Sequence, residues 1–534
     1  MKRPFIYTSL VLFLGFSACA QNKTAIKFSQ GITKEESYKH LSILASDEFE
    51  GRETGKKGAW LAADYIKNHF KAIGLKGPLK GDYFQPVDMA TNNLVQSIVT
   101  IDGTAKELLK DFIISPSSVT GQGFTFNNKP VVFAGYGINA DGYNDFAGLS
   151  LQDKVVMILK DHTTGDRTVM RQQMRDQQSK VEFLADNKAV AVLIVDPALD
   201  NITEAMKARY NNGEGPLIMK SKEYLEGLKT KKTLPVISIS TATANEILKQ
   251  GGSDLASLQK QLAETKKPAS KEINVAFCAS AVRKEVPVRA ENVLGYLEGA
   301  DPVLKKEVLV ITAHYDHIGL TTSGTDKVNN GADDDGSGTT GVLMLAEAFA
   351  KAKKAGKGPK RSILFMAVVG EEKGLLGSEW YAENPVFPME NTITNLNIDM
   401  IGRVDAEHES TPDYIYIIGS DMLSSDLNKL GIKANEDYVK MNLDMRYNNR
   451  TDPNRFYYRS DHYNFAKHNV PVIFYFNGVH PEYHQPGDEI DKINFPMMTR
   501  RAKLVYFTAW ELANAAKRPI VDKNEDGTPR IQPN

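Results

Sequence analysis

Glu307-Val-Leu-Val-Ile-Thr312, then Ala313-His314-Tyr315-Asp316, then Gly331-Ala332-Asp333-Asp334-Asp335-Gly336-Ser337-Gly338 is the stretch that decides the fold. The apolar, β-branched run has strand length and no alternation, the pattern of a strand buried on both faces of a parallel sheet. His314 and Asp316 then fall just past its carboxyl end, where open α/β sheets place their ligands. Beyond the acidic triplet, Val342, Leu345, Ala346 and Phe349 recur at helical spacing, and Gly336 and Gly338 are placed to let the backbone turn into that helix. Three adjacent aspartates repel one another and resist burial. Alone they would read as a solvated turn.

They are not alone. Gly370-Glu371-Glu372 ends the apolar run Ile363–Val369, Asp399 ends Leu396-Asn-Ile-Asp399, and His484 lies just past Val472–Phe476, within Tyr483-His-Gln-Pro-Gly-Asp488. A sheet core requires no carboxylate or imidazole at its strand ends, whereas a divalent metal does. His314, Asp334, Glu372, Asp399 and His484 are the natural ligands. They exceed the three protein donors plus water of a single catalytic zinc. With one bridging carboxylate they serve two ions ~3.5–4 Å apart, which together activate a water and polarise a carbonyl. Glu371 and Glu372 cannot both reach the metal by the same route, which frees one for proton transfer. Asp316, two residues from His314, is placed to hold its second ring nitrogen. His317, His462 and His480 read as structural or supporting neighbours.

His-Tyr-Asp-His, Gly-Ala-Asp-Asp-Asp-Gly-Ser-Gly, Gly-Glu-Glu-Lys-Gly-Leu-Leu-Gly-Ser, Asn-Ile-Asp-Met-Ile-Gly-Arg (397–403), Arg-Ser-Asp-His-Tyr-Asn-Phe (459–465) and the His484 segment stand in the order seen in the M28 family of zinc peptidases. The chain resembles the co-catalytic aminopeptidases of that family. The resemblance implies a three-layer α/β/α fold with a mostly parallel sheet and two zinc ions per chain. By position, Asp334 would bridge the ions, His314 and Asp399 would complete one, and Glu372 and His484 the other. Glu371 would be the general base toward a metal-bound water, and Asp316 would orient His314. Tyr483 would lie near the developing oxyanion.

The 534 residues suffice for two or more domains, and a net charge of −1 speaks against a general nucleic-acid binder. Residues 1–20 read as an export signal: Lys2 and Arg3, an apolar Phe5–Phe16 too short to span a bilayer, then Ala18-Cys19-Ala20. Cleavage before Gln21 gives a soluble exported chain, and cleavage before Cys19 gives a lipid anchor. The mature chain is then periplasmic, secreted or held at the outer membrane. Cys278, in Ile273-Asn-Val-Ala-Phe-Cys278, reads as a buried thiol with no intrachain partner. Helices 33–45 and 57–73 belong to the catalytic domain (21–87 and 281–518). Thr33 and Glu36 form a capping box on the first, and His69 lies beside the apolar face of the second with no ligand role. Residues 88–280 form a β-rich insert resembling a protease-associated (PA) domain, and 519–534 a flexible tail. A peptide is the expected substrate. Arg403, Arg446, Arg450, Arg455 or Arg459 could instead hold an α-carboxylate, so a carboxypeptidase or dipeptidase stays open, with Tyr483 and Arg403 the candidate substrate contacts. A metal-free binding protein of the same fold is the remaining reading, but it would show lost ligands.

Overall fold

Residues 22–160, 167–204, 207, 215–230, 233–524 and 526–530 are described by a computed structural model. Residues 1–20, read above as an export signal that includes Cys19, therefore lie outside the described residues. Two compact units divide the chain. One comprises the residues up to Pro86, Glu291–Thr321 and everything from Asp326 onward; the other comprises Val87–Ala290 with Thr322–Thr325.

The first unit carries an eight-stranded sheet. Its strands are β1 (Phe84–Pro86), β2 (Glu291–Leu297), β3 (Val308–His314), β4 (Ser362–Val368), β5 (Thr392–Ile398), β6 (Tyr414–Ile418), β7 (Asn442–Asp444) and β8 (Val472–Phe476). Their order across the sheet is β1-β2-β4-β3-β5-β8-β6-β7. The middle four, β4-β3-β5-β8, are parallel. β2 and β6 join antiparallel at the two sides. The parallel centre follows from the sequence, since every residue of β3, β4, β5 and β8 is buried.

The helices of this unit are α1 (Lys23–Ser29), α2 (Lys34–Leu44), α3 (Lys57–Ala72), α4 (Gly338–Lys354), α5 (Leu376–Glu383), α6 (Ser425–Ala434), α7 (His462–Ala466) and α8 (Phe495–Asn514). Strand alternation sorts them into layers. Leu364 and Met366 of β4 cluster with Tyr381 of α5 and Phe465 of α7. Phe365, on the other face, meets Phe349 of α4, which in turn packs on Tyr506 and Trp510 of α8. The result is the expected three-layer α/β/α arrangement around a mixed sheet. Thr33 caps α2 by accepting from the Glu36 amide.

The second unit carries a nine-stranded sheet, in which Val131–Phe133, Val155–Leu159, Ala191–Val195 and Val236–Ile239 run parallel. It ends at Ala290 rather than near 280, because Lys271–Val288 is one strand pairing with Met89–Ile101. Alternation along that strand buries Ile273, Val275, Phe277 and Ala279. Cys278 therefore faces outward and is partly exposed beside Asn128, not buried as its apolar neighbours suggested. Near the C-terminus, the Asp522 carboxylate accepts from the Ser425 amide and Lys523 pairs with Asp421, so this part of the expected loose tail is held on the first unit. Among the described residues no helix is long and apolar enough to cross a membrane.

Candidate metal centre

The acidic triplet is sorted by its backbone. Gly331 leads into it at φ 56, where a side chain would meet the Asp334 carbonyl at 2.2 Å and the His317 ring at 2.6 Å. The Asp334–Asp335 peptide bond is cis. Asp335 Oδ1 accepts from the Gly338 and Met400 amides, and Oδ2 from the His314 amide, clamping the ends of β3 and β5 together. Asp333 accepts from the Gly402 amide, Ser337 Oγ and Asn477 Nδ2. Both outer carboxylates are thus saturated, while the middle one turns into the cleft. Gly338 sits at an ordinary φ of −69. It is needed for space, not for the turn, since a Cβ there would meet the Ile398 carbonyl at 2.4 Å.

Five side chains converge around Asp334. Its Oδ1 lies 3.2 Å from His314 Nε2, which is 3.6 Å from Asp399 Oδ1. Its Oδ2 lies 3.0 Å from His484 Nε2 and 3.7 Å from His317 Nδ1. Glu372 Oε1 is 3.1 Å from His484 Nε2 and 2.9 Å from His317 Nδ1. These contacts are close yet not aligned as hydrogen bonds. Asp334 Oδ2, Glu372 Oε1, His484 Nε2 and His317 Nδ1 are all buried without a hydrogen-bond partner. Buried polar atoms are rarely left so, at about 1–3 kcal/mol each. Atoms that crowd together without pointing at one another share a common focus, and a divalent cation there satisfies all of them. The five candidate ligands read from the sequence are therefore brought together, and His317 joins them. The signal that could have found it is its place three residues after His314, past the end of β3.

The backbone is bent to the same end. His484 is held at φ 58, and Met400, directly after Asp399, at φ 59. Such conformations in non-glycine residues cluster at functional sites. The electrostatics agree. Burial alone would lower His314 and His484. Glu371 and Asp399 nevertheless hold His314 well above the usual imidazole range, and Asp334 with Glu372 raises His484 to about 10. Burial, reinforced by Asp399, Glu372 and Asp461, holds Glu371 well above the usual carboxylate range. The cleft carries more negative charge than its own cations balance.

Glu371 stands beside His314 and Asp399, its Oε2 4.0 Å from His314 Nε2. Its amide donates to Asp316 Oδ1, and Thr54 Oγ1 donates to Asp316 Oδ2 at 2.6 Å. The expected contact from the Asp316 carboxylate to His314 is replaced: that oxygen is 3.9 Å away, and His314 Nδ1 pairs instead with the Asp316 backbone carbonyl at 3.0 Å. The Asp316 carboxylate thus fixes the segment that carries Glu371. Tyr483 stacks on His484, ring centroids 3.9 Å apart, and lines the cleft. Arg403 is engaged elsewhere, donating to Glu482 at 2.8 Å. The arginine lining the cleft is Arg459, beside Met400, Phe456, Phe474, Phe476 and Val479.

Two supports were not legible in the sequence. Asp488 accepts from the Asp333 and Asp334 amides. Arg52, fully buried, donates to the carbonyls of Leu44, Tyr315, Asn330 and Gly331, tying the segment after α2 to the loop that leads into the acidic triplet. Arg52→Met is expected to lower stability by more than ~3 kcal/mol in denaturant unfolding, since each buried carbonyl left without a donor costs about 1–3 kcal/mol. A change below ~1 kcal/mol would show that the loop holds without it.

Residues 292–509 match the profile of peptidase family M28. Among curated relatives, a probable zinc metalloprotease of Pyrenophora teres f. teres is 28% identical over 327 residues, covering 54% of this chain and 65% of its own length. A probable leucine aminopeptidase of Arthroderma otae is 31% identical over 220 residues, covering 40% of this chain and 56% of its own length. The chain thus spans less than two thirds of each relative. Among solved structures, an aminopeptidase from an Aneurinibacillus species shares the fold at a TM-score of 0.51 and 20% identity, covering 92% of this chain and 96% of that one. The matched segment holds all the candidate ligands and is similar to peptidase family M28, the family of zinc peptidases that the motifs resemble.

Proposed function

We propose that this chain is an exported dizinc aminopeptidase that removes N-terminal residues from peptides. The convergence of unpartnered nitrogen and carboxylate atoms around Asp334 carries the reading, because mixed imidazole and carboxylate donors are zinc's usual protein ligands. Asp334 offers one oxygen to each of two groups. His314 and Asp399 complete the first, while Glu372, His484 and His317 complete the second. The groups are unequal. Three protein donors leave a position open, whereas four close a site. Glu371 stands beside the three-donor group, so proton transfer belongs there. Zinc, when bound, supplies the Lewis acidity that activates water and polarises the scissile carbonyl. Glu371 then takes the water's proton and returns it to the leaving amine. Tyr483 is placed toward the developing oxyanion.

Acidic groups and apolar side chains meet in one cleft, which suits an α-ammonium followed by a hydrophobic first residue. The relative named as a leucine aminopeptidase agrees with that preference. With Arg403 paired to Glu482, the carboxypeptidase or dipeptidase alternative rests on Arg459. The deciding experiment compares aminoacyl-anilides, N-blocked peptides and free dipeptides, with and without a chelator. Turnover of free-amine anilides alone, lost on chelation, is expected. Turnover of N-blocked peptides would reverse the direction of attack. The 87–290 unit fits a PA-type module inserted in the catalytic chain. Fractionation of the expressing cell tests export.

The fourth donor has its own consequence. His317→Gln is expected to release about one zinc per chain at a chelator concentration that leaves the parent loaded, a loss of the order seen when a metal site loses a supporting group, ~10–100-fold in affinity or more. Equal chelator resistance would return His317 to a packing role.

A further inference from the structure

We propose that His40, His69 and Glu347 form a third metal site, outside the catalytic cleft, taking a zinc-like divalent ion. The three side chains come from α2, α3 and α4, and one ligand atom of each lies within 4.8 Å of the other two. His40 is buried, 1% exposed. Its Nδ1 is engaged by the Tyr65 hydroxyl at 2.7 Å. Its Nε2 is buried with no hydrogen-bond partner, and so is Nε2 of His69. The rings meet edge to face, centroids 4.6 Å apart at 81°.

Two neighbouring imidazoles that each leave a buried Nε2 unpaired are unusual as packing. Apolar side chains would fill that space without an unmet polar atom. The pattern is ordinary for ligands, where one ring nitrogen is held by a partner and the other faces the ion. Tyr65 supplies that partner for His40. Both imidazoles stand ready as neutral donors: burial and the neighbouring His69 push His40 down to about 3, and burial lowers His69 as well. Two imidazole nitrogens and one carboxylate oxygen, with the carboxylate partly open to water, are the donor set and open fourth position of a zinc site. Glu347 also pairs with Lys351 at 2.6 Å, so the ion would compete with that ammonium for the carboxylate. On the helix pattern alone His69 looked like packing. The structure sets His40 and Glu347 against it.

Such an ion would fasten the two N-terminal helices to α4, the helix that follows the acidic triplet. It is independent of the catalytic reading. The test is the zinc content of the full chain, equilibrated against a zinc buffer and measured by elemental analysis beside Glu347→Gln and His69→Gln. Each variant should carry about one zinc fewer than the parent, keep the parent's turnover, and melt at a lower temperature that added zinc no longer raises. Should either variant fail to fold, cobalt(II) titration of the Asp334→Ala chain gives a second reading. A visible absorption band that persists without Asp334 and disappears on adding Glu347→Gln supports the site. Unchanged zinc content in an active variant, or no cobalt band attributable to Glu347, would overturn it.

Discussion

Asp334→Ala is expected to lose both zinc ions together and to lower turnover by ~10³-fold or more, because metal ions contribute several kcal/mol of transition-state stabilisation and each 1.36 kcal/mol is about tenfold. The expectation rests on how the triplet divides its labour. Asp333 and Asp335 accept from backbone amides and from side-chain donors, so their carboxylates hold loops. The Asp334 side chain is flanked instead by His314 on one oxygen and His484 on the other. Removing it should empty both groups while the folded chain survives. Removing Asp335 should instead lower the melting temperature of even the metal-free protein, since the His314, Gly338 and Met400 amides lose their acceptor. Elemental analysis and thermal melting separate the two outcomes. Retention of two zincs by Asp334→Ala would end the bridging role.

How much of this could be read from the residues alone follows from what each feature depends on. Three of the four central parallel strands, β3, β4 and β8, were legible because burial on both faces leaves an apolar run, as in Val308–Thr312 and Ile363–Val369, whereas β5 buries Thr394, Asn395 and Asn397 among its apolar residues. The candidate ligands His314, Glu372, Asp399 and His484 were legible because they follow such runs closely, and Asp334 because it stands in an acidic triplet between a strand and a helix. His317 was not singled out, since its role depends on Gly331 turning at φ 56 to bring the loop under its ring. Arg52 and Asp488 were missed for a related reason. They act on backbone groups of segments remote in sequence, and only the folded loop shows which carbonyls and amides lack partners. Asp316 was given the wrong contact, because spacing along an extended chain cannot tell a carboxylate from the same residue's backbone carbonyl. The pairing of Arg403 with Glu482 and the outward turn of Cys278 depend on neighbours and on register, neither of which a local pattern contains. His40 and His69 lie 29 positions apart on separate helices. Nothing in either helix pattern announces the other.

Glu371→Gln isolates proton transfer from metal binding. The substitution keeps the side chain's shape and leaves the Glu371 amide free to donate to Asp316. Glu371 Oε2 is 4.0 Å from His314 Nε2, farther than the Asp334 and Asp399 oxygens at 3.2 and 3.6 Å. The variant should therefore hold about the parent's zinc and bind substrate with little change in KM, while kcat falls by ~10²–10⁴-fold, the usual worth of a positioned general base. The pH profile adds a second signature. A carboxylate must be deprotonated to accept the water's proton, so parent activity falls as pH drops through the base's pKa, and the variant's residual activity should lack that acidic limb. Loss of zinc from the variant would make Glu371 a ligand instead. Full turnover with zinc in place would move the base elsewhere, leaving the buried carboxylate of Asp461, pushed up to about 7 by burial, as the group to test next.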